Sequence, residues 1–166
     1  MKLVLDHYPL QSIKDIGFLF WGPWKKKFFS LFGKQRSLDE LEHEMIRPVF
    51  EEPRVHFALV CASKSCPQLR KEAYLADRLE SQFEDGAKKF LSDPHLNRFN
   101  KEKRSLLLSP IFKWYKEDFQ KKSGSVEAFI ASRLAANPDE ETLIRNGSVP
   151  LTYSEYDWTL NDTGVF

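Results

Sequence analysis

The stretch R-V-H-F-A-L-V-C-A-S-K-S-C-P-Q-L-R, Arg54 to Arg70, opens as an apolar run and closes on Ser65-Cys66-Pro67. Val55 to Ala62 reads as a strand apolar on both faces, as expected of a central strand covered on two sides. Pro67 suits the first turn of a helix, with Ser65 or Cys66 at the cap. A thiolate at a helix N-terminus is stabilised by unpaired N–H groups and by the macrodipole. Lys64 adds positive charge, and a strand–turn–helix is a place where nucleophiles are displayed. Cys66 is therefore the first candidate catalytic residue, set against the plain reading that a cysteine before a proline simply packs.

A thiol nucleophile needs a base. His56 lies on the same stretch, but a regular strand rises about 3.3 Å per residue, so His56 to Ala62 spans roughly 20 Å. That separation favours a buried, hydrogen-bonded histidine. His43, between Glu42 and Glu44 on a preceding helix, is not excluded by distance. Asp157-Trp158, with Asn161 close behind, offers an acid or amide that could orient a histidine. The plain alternative is a tryptophan core plug beside a turn-forming Asp and Asn. His7 and His95 sit in loops.

Working outward, Leu3 to Ile16 reads as the end of one helix, a turn at His7-Tyr8-Pro9, and a short helical piece. Phe18 to Phe32, F-L-F-W-G-P-W-K-K-K-F-F-S-L-F, is aromatic and broken by Gly22-Pro23. Its rings plug the core, or, with Lys25, Lys26 and Lys27 among them, form a membrane-surface or partner-binding patch. Ser37-Leu38-Asp39-Glu40 is a capping box whose helix runs to about Arg47 and stops at Pro48. After the helix at Pro67, a periodic run through Leu75, Leu79, Phe83, Ala87 and Leu91 predicts a longer helix ended by Pro94. Ser105 to Ser109 is a short strand, and Ser109-Pro110 opens another helix. Ser125 begins one more, closed near Asn137-Pro138. Val149 to Leu160 alternates like an edge or hairpin strand. The prediction is α+β, with about five helices around a small mixed or antiparallel sheet, in a single domain over residues 1–166.

With 166 residues, 42% hydrophobic and 30% charged, the chain can bury a core. Its net charge of +1 offers no field to draw in nucleic acid. No segment approaches 18 consecutive apolar residues, so no transmembrane segment is expected. Met1-Lys2-Leu3-Val4-Leu5 starts like a signal peptide, but Asp6, His7 and Pro9 interrupt it. Cytoplasmic residence is the default expectation. Cys61 and Cys66 lie five residues apart across a strand end, so a bond between them is possible but not expected. Two cysteines and four scattered histidines make a zinc site unexpected, and no phosphate loop or other cofactor motif is present.

Four motifs stand in order: S-L-D-E-L-E-H-E-M-I-R, R-V-H-F-A-L-V-C-A-S-K-S-C-P-Q-L-R, L-S-P-I-F-K-W-Y-K-E-D-F and Y-D-W-T-L-N. Together they resemble the family called domain of unknown function 547. Members usually carry a helix before the position of Leu3, so the chain resembles an N-terminally truncated member. If a leader preceded that start, periplasmic residence or export would replace the cytoplasmic default. The resemblance implies a thiol hydrolase of papain or transglutaminase type, with Cys66 and His56 carried over and His43 and Asp157 as supports. Two function classes stand open: a thiol-dependent hydrolase or acyltransferase using Cys66, and a non-catalytic protein- or peptide-interaction module using the aromatic surface of Phe18–Phe32. The partner and the oligomeric state are not legible.

Overall fold

In a computed structural model, which describes residues 2–17 and 22–162, the capping box at Ser37 forms as read. Its hydroxyl accepts from the Glu40 N–H, and the Glu40 carboxylate accepts from the Ser37 N–H. The chain divides into two compact units. The first takes Met1–Glu51, Cys61–Cys66 and Asp157–Phe166, and the second takes Glu52–Val60 and Pro67–Tyr156. Both combine helices with a small sheet, which is the α+β class expected.

The first unit begins with α1 (Lys2–Leu5) and a single 3-10 turn at Ile13–Asp15, capped by Ser12. Strands β1 (Phe29–Leu31) and β2 (Lys34–Arg36) form an antiparallel hairpin, with Phe29 opposite Arg36. The Ser37 helix follows as α2 (Leu38–Glu40), a π-helical segment over Leu41–Ile46, and α3 (Arg47–Phe50). Pro48 was expected to stop this helix. It sits instead in the first turn of α3, where a missing N–H is tolerated. The core of the unit gathers Leu3, Val4, Ile13, Ile16 and Leu160, with Trp24, Phe28 and Trp158 packed against them. Trp24 meets Trp158 edge to face at 5.9 Å, so this part of the aromatic stretch plugs the core. Phe18 to Trp21 lie outside the described residues.

The second unit holds α4 (Leu79–Leu91), β3 (Arg98–Asn100), β4 (Ser105–Leu108), α5 (Ile111–Trp114), α6 (Lys116–Ser123), α7 (Val126–Leu134), α8 (Pro138–Arg145) and β5 (Leu151–Tyr153). Its sheet runs β3-β4-β5, antiparallel then parallel, so an edge strand forms in the tail, over Leu151–Tyr153 only. Ser125 caps α7 by accepting from the Ala128 N–H. Asn137-Pro138 was read as a stop. It is a start, because Asn137 accepts from the Glu140 N–H and Pro138 takes the first helical position of α8. Phe57, Phe90, Phe112, Phe119 and Phe129 form the aromatic centre of the core.

The largest correction falls on the opening stretch. Val55 to Ala62 is not a strand: Pro53–Phe57 is a 3-10 helix, and turns follow it. Pro53 occupies the first turn, and the Glu52 carboxylate caps it by accepting from the Arg54 N–H. All five residues of the turn are buried. A run that is apolar on every side signals burial, and its period does not separate a strand from a buried helical turn. The helix expected at Pro67 is also absent, with no regular helix from Pro67 until α4 begins at Leu79. Leu75 and Leu79 accordingly stay exposed, while Ala87 and Leu91 are buried. No helix among the described residues is long and apolar enough to cross a membrane.

Candidate functional site

Cys66 lies in a loop of the first unit rather than at a helix N-terminus. Ala62 adopts φ 60°, the left-handed region, and turns the chain back on itself. The Cys66 N–H donates to the Ser63 carbonyl at 3.1 Å, and the Cys61 N–H donates to the Cys66 sulfur at 2.8 Å. The macrodipole argument for an activated thiol therefore falls away. Cys66 is buried and Cys61 half-buried. The Cys61 sulfur lies 3.2 Å from the Ser63 hydroxyl oxygen.

The tail motif Y-D-W-T-L-N clamps this loop. The Ser65 N–H donates to the Asp157 carbonyl at 3.2 Å, and the Asp157 N–H donates to the Ser65 hydroxyl at 2.9 Å. The Lys64 N–H donates to the Thr159 carbonyl, and the Asn161 N–H donates to the Ala62 carbonyl. Asp157 thus reaches the cysteine loop through its main chain. Its carboxylate accepts from the Thr159 hydroxyl and N–H, which hold its pKa below the ordinary aspartate value.

His43 is on the π-helical segment of the first unit. It takes a hydrogen bond from Arg47 on its Nδ1, and its Nε2 is 3.9 Å from Asp39. Both partners are four residues away on the same helical run, and the imidazole is substantially exposed.

His56 belongs to the second unit and is 3% exposed. Its Nε2 lies 2.8 Å from Oδ2 of Asp118. Beside an ionised carboxylate, which only accepts, Nε2 is the donor of the pair. Tyr115 stacks on the imidazole with centroids 3.6 Å apart, and Phe119 stands beside it at 6.0 Å. Tyr115, Asp118 and Phe119 follow the i, i+3, i+4 spacing of one helix face. The 3-10 turn is anchored by Arg54, whose guanidinium donates to Glu52 and to Glu80 of α4. Those hydrogen bonds, to Glu52 first and Glu80 second, raise the Arg54 pKa.

Asp118 was not among the sequence candidates. Its signal was present in K-W-Y-K-E-D-F, where the aromatic residues drew attention as a core face and the acid on the same face did not. His56 itself stands on a 3-10 turn, which rises about 2 Å per residue, and not on the extended strand expected for it.

A family model described as "Protein of unknown function, DUF547" matches residues 1–91, more than half of the chain. The chain belongs to this family. The matched part of this DUF547 protein includes His43, His56, Cys61 and Cys66, while Asp118 and Asp157 lie beyond it. No curated protein and no solved structure matches the chain.

Proposed function

We propose that this DUF547 protein is a thiol-dependent hydrolase or acyltransferase acting on amide or peptide bonds. Cys66 is the nucleophile, and His56, held by Asp118, is the base. The observation that carries the reading is the buried His56–Asp118 pair. A carboxylate on Nε2 sets the tautomer, orients the ring and stabilises the imidazolium that forms when Nδ1 takes a proton. In this chemistry the thiol gives up its proton to the base and the sulfur attacks the acyl carbon. The imidazolium then returns the proton to the leaving amine, which departs as the thioester forms. Water completes hydrolysis, or another acceptor completes transfer. Asp157 serves as a positioning residue for the cysteine loop, and His43 is left outside the chemistry by its helix partners.

The test is the pH profile of Cys66 alkylation by iodoacetamide, read by peptide mapping. The shape of the profile is scored rather than the absolute rate, because the sulfur is buried. The wild type is expected to show a reactive limb below pH 7 that an ordinary thiol, with a pKa of about 8.5, lacks. His56→Asn should remove that limb, and Asp118→Asn should weaken it, in variants whose circular dichroism matches wild type. A wild-type profile like that of a peptide thiol, or one unchanged by His56→Asn, overturns the reading.

The interaction-module alternative has less behind it. Trp24 and Phe28 pack inward, and within the described part of Phe18–Phe32 the strongly exposed ring is Phe32, at the tip of the β1–β2 hairpin.

A further inference from the structure

Cys61 has no part in the chemistry proposed above, yet the fold sets it beside Cys66. The Cys66 sulfur is 2.8 Å from the backbone nitrogen of Cys61. One N–Cα bond adds at most about 1.5 Å, so that sulfur lies within roughly 4.3 Å of the Cys61 Cα. Rotation about the Cα–Cβ bond of Cys61 carries its own sulfur through the space beside that N–H, where the Cys66 sulfur already sits. The left-handed Ala62 supplies the reversal that folds the two residues together. The backbone between them is fixed by Thr159 and Asn161 on one side and Asp157 on the other. The Cys66 sulfur thus lies within reach of the Cys61 side chain.

We infer that Cys61 and Cys66 form an intramolecular disulfide when the protein meets hydrogen peroxide. Cys61 is the more exposed of the two and takes the oxidant first. Its thiol reduces peroxide and becomes a sulfenic acid, with release of one water. The Cys66 thiolate then attacks the Cys61 sulfur, the S–O bond breaks, and hydroxide leaves to collect the displaced proton as a second water. Two thiols have lost two electrons to peroxide, and an external thiol reverses the step. The bond itself stands on the loop geometry. Its consequence, that oxidation silences the nucleophile and shields it from irreversible over-oxidation, rests on the role proposed for Cys66.

Trypsin cuts after Arg54, Lys64 and Arg70, so the cysteines fall on separate peptides, Val55–Lys64 and Ser65–Arg70. The intact protein is treated with peroxide, blocked with iodoacetamide and digested without reduction. The expected product is those two peptides joined, two hydrogens lighter than their sum, in a yield independent of protein concentration and reversed by dithiothreitol. Cys61→Ser should abolish the joined peptide, send Cys66 to the sulfinic acid, and leave the His56-dependent alkylation profile of Cys66 unchanged. Separate sulfinic acids on the wild-type peptides, or links formed between chains, overturn the inference. Loss of the His56 dependence with the joined peptide intact counts against the hydrolase reading alone.

Discussion

His56 and Arg54 sit two residues apart on one 3-10 turn, and each finds carboxylates from helices of its own unit. The two pairs do different things. Asp118 holds a buried imidazole in place through its Nε2. Arg54 is a permanent cation and serves as an anchor, with its guanidinium buried between Glu52, Glu80 and Glu84. Removing one partner of a buried ion pair leaves uncompensated charge, which costs about 3 kcal/mol or more. Arg54→Met is therefore expected to lower stability to urea by about 3 kcal/mol, where a surface pair would lose under about 1 kcal/mol. A loss in the surface range would show that the turn does not depend on this anchor. His56 was legible in the sequence as a buried, hydrogen-bonded histidine. Its partner was not, because Asp118 lies 62 residues away and a lone aspartate on a charged helix carries no mark of what it faces.

At the scale of elements, short-range devices set several of the helix starts. The caps at Ser37 and Ser125 act over three residues, and each formed where it was read. Asn137-Pro138 shows how such a device is misassigned. The same pair can end one helix or begin the next, and here it begins α8, with the acids Asp139, Glu140 and Glu141 in the first turn. Asn137→Ala removes the side-chain acceptor for the Glu140 N–H and is expected to cost about 1 kcal/mol. Thermal or urea unfolding checks this, and Asn137→Ser should restore most of the loss. The Val55–Ala62 error has a different origin. Buried chain is apolar whether it is extended or wound, so hydropathy located the core and not the conformation. Glu52-Pro53 ahead of it was the informative signal, a capping acid followed by a proline suited to a first helical turn.

Across the whole molecule, the Arg54 and Arg133 clusters make the second unit sensitive to acid. Burial pushes the Glu52 carboxyl up, but hydrogen bonds from the Arg54 side chain and N–H overcome this and hold it below the ordinary value of 4.5. Glu84 is held down chiefly by Arg133. Carboxyls depressed in the folded state bind fewer protons there than in the unfolded chain. Their stabilisation is complete above the ordinary glutamate value and is lost as pH falls through the depressed folded value. The urea midpoint is expected to hold between pH 7 and 5 and to fall below about pH 4.5. Glu84→Gln should flatten that acid slope while lowering stability at neutral pH. A midpoint that stays level to pH 3 would count against these pairs. The sequence by itself determined the α+β class, the helix starts written into local caps, and the candidacy of Cys66, because those depend on residues a few positions apart. The tertiary structure decided that the apolar run winds instead of extending and that Asp118 orients His56. It also decided that the tail, 92 residues beyond Ser65, locks the loop in which the Cys66 sulfur meets the Cys61 N–H. Those outcomes follow from the path of the chain through space, which residue type and spacing do not specify.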